Sequence, residues 1–259
     1  MSSVYDALQR ARQGGQGAIP LPQRRPVDES AHAPYPSPAS PSPTNRSSGT
    51  LAPGPMAAAL APLLAGVRPL LDRDGGAVLH IVAATAGEGA STIAREFALL
   101  AATTGHCRTM LVDADRRDPQ TARIFECDSG QGLVDALRDG LELDDVSRQI
   151  PGTSLSVACL VGSRRPGRAD AATVHELYGR LRARFDLIVV DCPSVAEGDY
   201  LELVPEAADG VIMVVQAEST RPAVVARAKE AVQQAGGNLL GAVLNRRSNY
   251  IPDFLYRML

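Results

Sequence analysis

Tryptophan is missing from the 259 residues, lysine occurs once, at Lys229, and aromatic residues make up only 4%. A core with so few rings has to be built from Ala, Val, Leu and Ile, the composition of sheets covered by helices. Neither sign of charge dominates. The net charge of -3 and pI near 5.8 exclude the basic excess that marks a general nucleic-acid binder. The four cysteines, Cys107, Cys127, Cys159 and Cys192, show no C-x-x-C or Cys/His ligand spacing, so buried free thiols in a reducing cytosol are expected rather than a zinc site or a disulfide frame. A signal-peptide pattern is lacking, as is an apolar stretch long enough to span a bilayer. The longest candidate, Met56 to Leu71, is broken by Pro62, Gly66, Arg68 and Pro69. A soluble, cytoplasmic chain is the expectation.

What is present falls into three parts. Residues 1–13 place Val4, Leu8 and Ala11 on one face of a short amphipathic helix. Residues 14–55 are dominated by Pro, Ser, Gly, Ala and Arg, as in Pro34-Tyr35-Pro36-Ser37-Pro38. They bury too little to offset the entropy of ordering and read as a disordered linker. Residues 56–259 alternate apolar runs with helical periodicity. Strands are expected at 77–84, 108–115, 155–160, 185–191, 210–215 and 239–245, and helices at 56–71, 92–103, 132–140, 171–184 and, capped by Thr220, 222–235. Continuous apolar strands separated by helices imply a mainly parallel sheet covered on both faces, an α/β three-layer fold. Ligands of such folds bind beyond the carboxyl ends of the strands.

The marked residues fall at those ends. Gly87-Glu88-Gly89-Ala90-Ser91-Thr92 lies between a strand and a helix, where glycines let the backbone approach a phosphate and the free N–H groups of the helix start face it. The second strand ends in Asp113 and Asp115, the later one in Asp191, and the last in Asn245. Taken singly, an aspartate after a strand is as well explained as a turn former or cap. Together, a glycine loop and two acid-ended strands fit a nucleotide site in which amides hold phosphates while Ser91 and aspartates hold Mg2+. A dinucleotide fold accounts for less, because Thr92 stands where its third glycine belongs and Asp191 has no part in it.

In order and spacing these motifs resemble the P-loop proteins of the MinD/ParA class, and within it the cytoplasmic tyrosine-kinase domains of bacterial polysaccharide export. The resemblance covers roughly Leu79 to Leu259. It implies a P-loop NTPase fold in which Gly87, Gly89, Ser91 and Thr92 touch the phosphates of ATP. Ser91, Asp113 and Asp191 would hold Mg2+, Asp113 and Asp115 would be the catalytic carboxylates, and Asn245 would meet the base. It further implies an inner-membrane polysaccharide co-polymerase as partner, peripheral placement at that membrane through it, and self-association as a second contact. Three departures bear on activity. Ala90 stands where the family has its phosphate-binding lysine, and Thr85 where the class has a second one. The stretch around 57–71 lacks the Glu/Arg pattern by which the kinases form rings. Tyr250 and Tyr256 are no tyrosine cluster. Arg95, Arg116 and Arg117 are candidate substitute cations. The expected function is therefore a tyrosine-kinase-like regulator of exopolysaccharide or capsule assembly, catalytically weak or inactive. An active autokinase or ATPase and a ligand-free scaffold are the alternatives.

Overall fold

The computed structural model describes residues 54, 56–71, 75–104, 107–127, 130–163 and 169–246, all within one unit, 48–259. The helix expected at 1–13, nearly all of the 14–55 linker and the segment bearing Tyr250 and Tyr256 lie outside the described residues.

The elements, in chain order, are α1 (Ala57–Leu71), β1 (Ala77–Ala83), α2 (Ala90–Thr104), β2 (Thr109–Asp113), α3 (Gln120–Phe125), α4 (Leu133–Asp139), α5 (Leu143–Val146), β3 (Ser147–Gln149) and β4 (Leu155–Cys159). Then come α6 (Ala171–Arg184), β5 (Leu187–Asp191), three 3-10 turns (Val195–Glu197, Asp199–Leu203 and Pro205–Ala207), β6 (Gly210–Gln216), α7 (Pro222–Gln234) and β7 (Leu239–Asn245). The strands form one sheet in the order β3-β4-β2-β5-β1-β6-β7. Every neighbouring pair is parallel except β3 with β4, an antiparallel edge.

The apolar runs become central strands because both their faces are covered. On β1, Val78 and Val82 face a core shared with α4, α6, α7 and the 3-10 turns, while Ala77, Leu79, Ile81 and Ala83 face one shared with α1, α2 and α3. Burial of a large aliphatic side chain contributes roughly 1.5 to 3 kcal/mol, and each strand of the central trio β2, β5 and β1 is buried along its whole length. The stretch at 56–71 is one helix despite Pro62 and Pro69. Both prolines are exposed, while Leu60 and Val67 enter the core beside α2, so packing outweighs the break that a proline would otherwise cause.

Two expectations need correction. The helix after the glycine loop starts at Ala90 rather than Thr92, because Gly89 already offers its carbonyl to Ile93 N at 3.0 Å. Thr220 does not cap α7: Arg221 occupies that position without a side-chain bond, and the Thr220 hydroxyl goes instead to Glu88.

Candidate nucleotide site

The loop between β1 and α2 is shaped by two glycines in the left-handed region, Gly87 at φ 85° and Gly89 at φ 94°, a conformation that side chains resist. At Gly89 a methyl group would also sit 2.3 Å from Asn245 Nδ2. Between the glycines Glu88 turns inward and is 2% exposed. Its Oε2 accepts from Thr85 N at 2.9 Å and its Oε1 from Gln216 N at 3.3 Å and from the Thr220 hydroxyl. Its carbonyl accepts from Asn245 Nδ2 at 2.8 Å. One acidic side chain thus ties the loop to the end of β6, and one amide ties it to the end of β7.

The carboxylates come from adjacent strands. Asp113 of β2 and Asp191 of β5 are register partners, and neighbouring strands lie only about 4.8 Å apart. Both are buried. Burial first, and the charge of Asp191 second, push the Asp113 carboxyl up to about 7, while N–H groups of Ala122 and Asp115 pull it back. These bonds are 2.8 Å and 3.1 Å long. Burial pushes Asp191 up to about 6, opposed by the hydroxyls of Thr121 and Ser91 and by the charge of Arg95. Thr121 donates to Asp191 Oδ2 at 2.8 Å, whereas the buried Oδ1 has no hydrogen-bond partner. Buried polar atoms are rarely left so, and a water or an ion is a common partner of such an orphan.

Asp115 points differently: it accepts from Arg117 N at 3.0 Å and Asp118 N at 3.2 Å, turning the chain before Pro119. Arg117 pairs with Asp199 at 2.9 Å and lies 3.8 Å from Glu197, and Arg116 lies 3.9 Å from Glu202. These contacts hold the segment after β2 against the 3-10 turns that follow β5. A small cleft of about 20 Å³ opens there, lined by Ala114, Arg116, Leu160, Pro193, Asp199 and Glu202 among others. Arg95 projects from α2, with Nη2 3.2 Å from Thr92 Oγ1 and Nη1 3.4 Å from Thr121 Oγ1.

Among the described residues no three His, Cys, Asp or Glu side chains form a metal cluster of their own. A full protein cage is therefore not built here. One or two carboxylates and a hydroxyl beside a phosphate loop are the set that Mg2+ takes, since it keeps waters and completes its shell with substrate oxygens. The unpartnered Asp191 Oδ1 and the glycine loop beside it fit that pattern.

No family model matches the chain. The tyrosine-protein kinase CpsD of Streptococcus agalactiae is 27% identical over 180 residues, covering 68% of this chain and 77% of the relative. The kinase domain of VpsO is 26% identical with a TM-score of 0.59, covering 74% of this chain and 94% of that one. The chain is thus similar to bacterial tyrosine-protein kinases over about two thirds of its length, and its α/β fold is that of a P-loop NTPase. The cell-division ATPase MinD of Pyrococcus furiosus shares the fold, at a TM-score of 0.55 and 20% identity over 71% of this chain and 78% of its own.

In this chain Ala90 opens α2 and is only 7% exposed. The structure brings Gly87, Gly89, Ser91 and Thr92 to one loop and helix start, with Asp113 and Asp191 beside it. Asn245 reaches the same loop and is engaged there with Glu88, and Asp115 is engaged in its turn. Glu88 and Thr121 carry no signal in the sequence that marks them as site residues. A lone acid between glycines and a threonine two residues after a proline carry no distinctive pattern. Only the fold shows that one knots the loop and the other holds Asp191.

Proposed function

We propose that the chain is a regulator of bacterial exopolysaccharide or capsule polymerisation and export that binds ATP and Mg2+ but turns ATP over weakly or not at all. The observation that carries this is Ala90 at the head of α2, beside an otherwise assembled loop and carboxylate pair. Backbone amides around Gly87 and Gly89, with Ser91 and Thr92, would hold the phosphates. Ser91, Asp113 and Asp191 would hold Mg2+, which when bound neutralises phosphate oxygens. Asn245 would meet the base while keeping the loop in place. Because Asp113 and Asp191 are both pushed up by burial, Mg2+ would displace protons as it binds. Loss of one charge-assisted contact costs about 1.5 to 3 kcal/mol of binding. Loss of transition-state charge in phosphoryl transfer costs on the order of a thousandfold in rate. Binding therefore survives where fast chemistry does not.

The regulator acts from the cytoplasm by contact with an inner-membrane polysaccharide co-polymerase, with nucleotide occupancy setting the strength of that contact. Retention of the full chain by membranes carrying such a co-polymerase, with and without ATP and Mg2+, is the test. Nucleotide-dependent retention supports the reading. Absence of association with any polysaccharide-export membrane component overturns it. An autokinase reading would instead require phosphotyrosine to accumulate on this chain.

A further inference from the structure

If a charge is missing at position 90, the described arginines around the site are not equally able to replace it. Arg116 and Arg117 are drawn towards Glu202, Glu197 and Asp199. Arg95 makes no ion pair among the described residues, and its two hydrogen bonds, at 3.2 Å and 3.4 Å, go to the neutral hydroxyls of Thr92 and Thr121. Its position follows from helix geometry, because residue 95 lies one turn beyond 91 and 92 on the same face of α2. Thr121 spends its only hydroxyl proton on Asp191 Oδ2 at 2.8 Å, so its lone pairs are what the guanidinium meets. We propose that Arg95 is the cation of the phosphate site, standing in for the lysine that Ala90 replaces.

This rests on the nucleotide reading above and adds to it the residue that supplies the charge. The guanidinium bridges Thr92, at the head of α2 beside the loop, and Thr121, which holds the carboxylate pair. Burial lowers the Arg95 guanidinium from its usual range, and the charges of Asp191 and Asp113 oppose this and favour its charged form. Its five donors in a planar fork match phosphate oxygens in pairs, and weak bonds to hydroxyls are readily exchanged for charge-assisted ones. The carboxylate that Thr121 holds also carries the orphaned Asp191 Oδ1, a buried polar atom of this corner with no hydrogen-bond partner among the described residues. Arg95 is thus a binding residue for polyphosphate.

The test titrates the full chain with ATP and Mg2+ by calorimetry, comparing wild type, Arg95→Gln, Arg95→Lys, Ala90→Lys and the double variant Arg95→Gln/Ala90→Lys. Arg95→Gln is expected to weaken binding about tenfold or more, the loss of one charge-assisted contact, and Arg95→Lys to keep most of the affinity. Ala90→Lys is expected to restore Arg95→Gln while adding less to wild type, since one cation then covers the other's role. That non-additivity is not expected of a purely structural arginine. Equal ATP affinity in wild type and Arg95→Gln overturns the proposal and leaves the nucleotide reading intact. Binding by Ala90→Lys alone, with wild type silent, removes both the proposal and the reading that this chain binds nucleotide, as does binding by none of the five.

Discussion

Glu88 is the residue on which the loop depends most. It is buried in a turn and receives three donors from three parts of the chain. Glu88→Ala leaves the part-buried N–H groups of Thr85 and Gln216 without this partner, where a fully buried orphan would cost about 1 to 3 kcal/mol each. The expected result is a loss on the order of 2 kcal/mol in chemical denaturation, together with weaker nucleotide binding. Asp191→Asn addresses the carboxylate pair. The Asp191 carboxyl is raised from its ordinary 3.8 to about 6, so the folded state holds its proton more tightly than the unfolded one. Stability from this group is then complete below about pH 3.8 and is lost as pH rises through 6. In the absence of Mg2+, Asp191→Asn is expected to be more stable than wild type at pH 8, by on the order of 2 kcal/mol for a shift of this size. The difference is expected to vanish near pH 4, as read by denaturation across that range. Residues such as Asp113, Asp191 and Asn245 were legible because each closes an apolar run. Glu88 was not, because a charge between glycines reads as solvated until β6 is seen beside it.

At the scale of elements, β1 links the two faces of the sheet. His80 is fully buried on the face opposite α2, its Nε2 2.8 Å from the Tyr178 hydroxyl of α6. Tyr178 in turn donates to Leu203 O at 3.3 Å. That chain joins β1, α6 and the 3-10 turns after β5. Burial pushes the His80 imidazole down to about 3, so the unfolded chain takes up its proton first. Stability from His80 is complete above about pH 6.5 and is lost as pH falls towards 3. Replacing it with Phe is expected to flatten the acid limb of the stability profile, and an unchanged acid limb would refute this assignment. The parallel strands and long helices could be read from periodicity alone. The short elements could not: α3, α5, β3 and the 3-10 turns are too brief to show a period and are set by tertiary contacts such as Arg117 with Asp199. The end of α2 nearest the loop lies two residues before the expected start because Gly89, rather than a side-chain cap, begins it.

For the molecule as a whole, the α/β architecture and the convergence of the glycine loop with Asp113 and Asp191 were legible, since a parallel sheet gathers its strand ends on one side. Which arginine stands nearest the carboxylates was not, because that depends on which helix face meets which strand. The candidate site holds its glycine loop and carboxylate pair together with Ala90 at the head of α2. Ala90→Lys, made in the full chain, tests this most directly: ATP and Mg2+ are titrated while phosphate release and phosphotyrosine are followed in the same samples. Wild type is expected to bind saturably without release above buffer, and Ala90→Lys to bind more tightly and to gain turnover. Rapid turnover or phosphotyrosine accumulation by wild type, or no binding by either protein, would contradict the account.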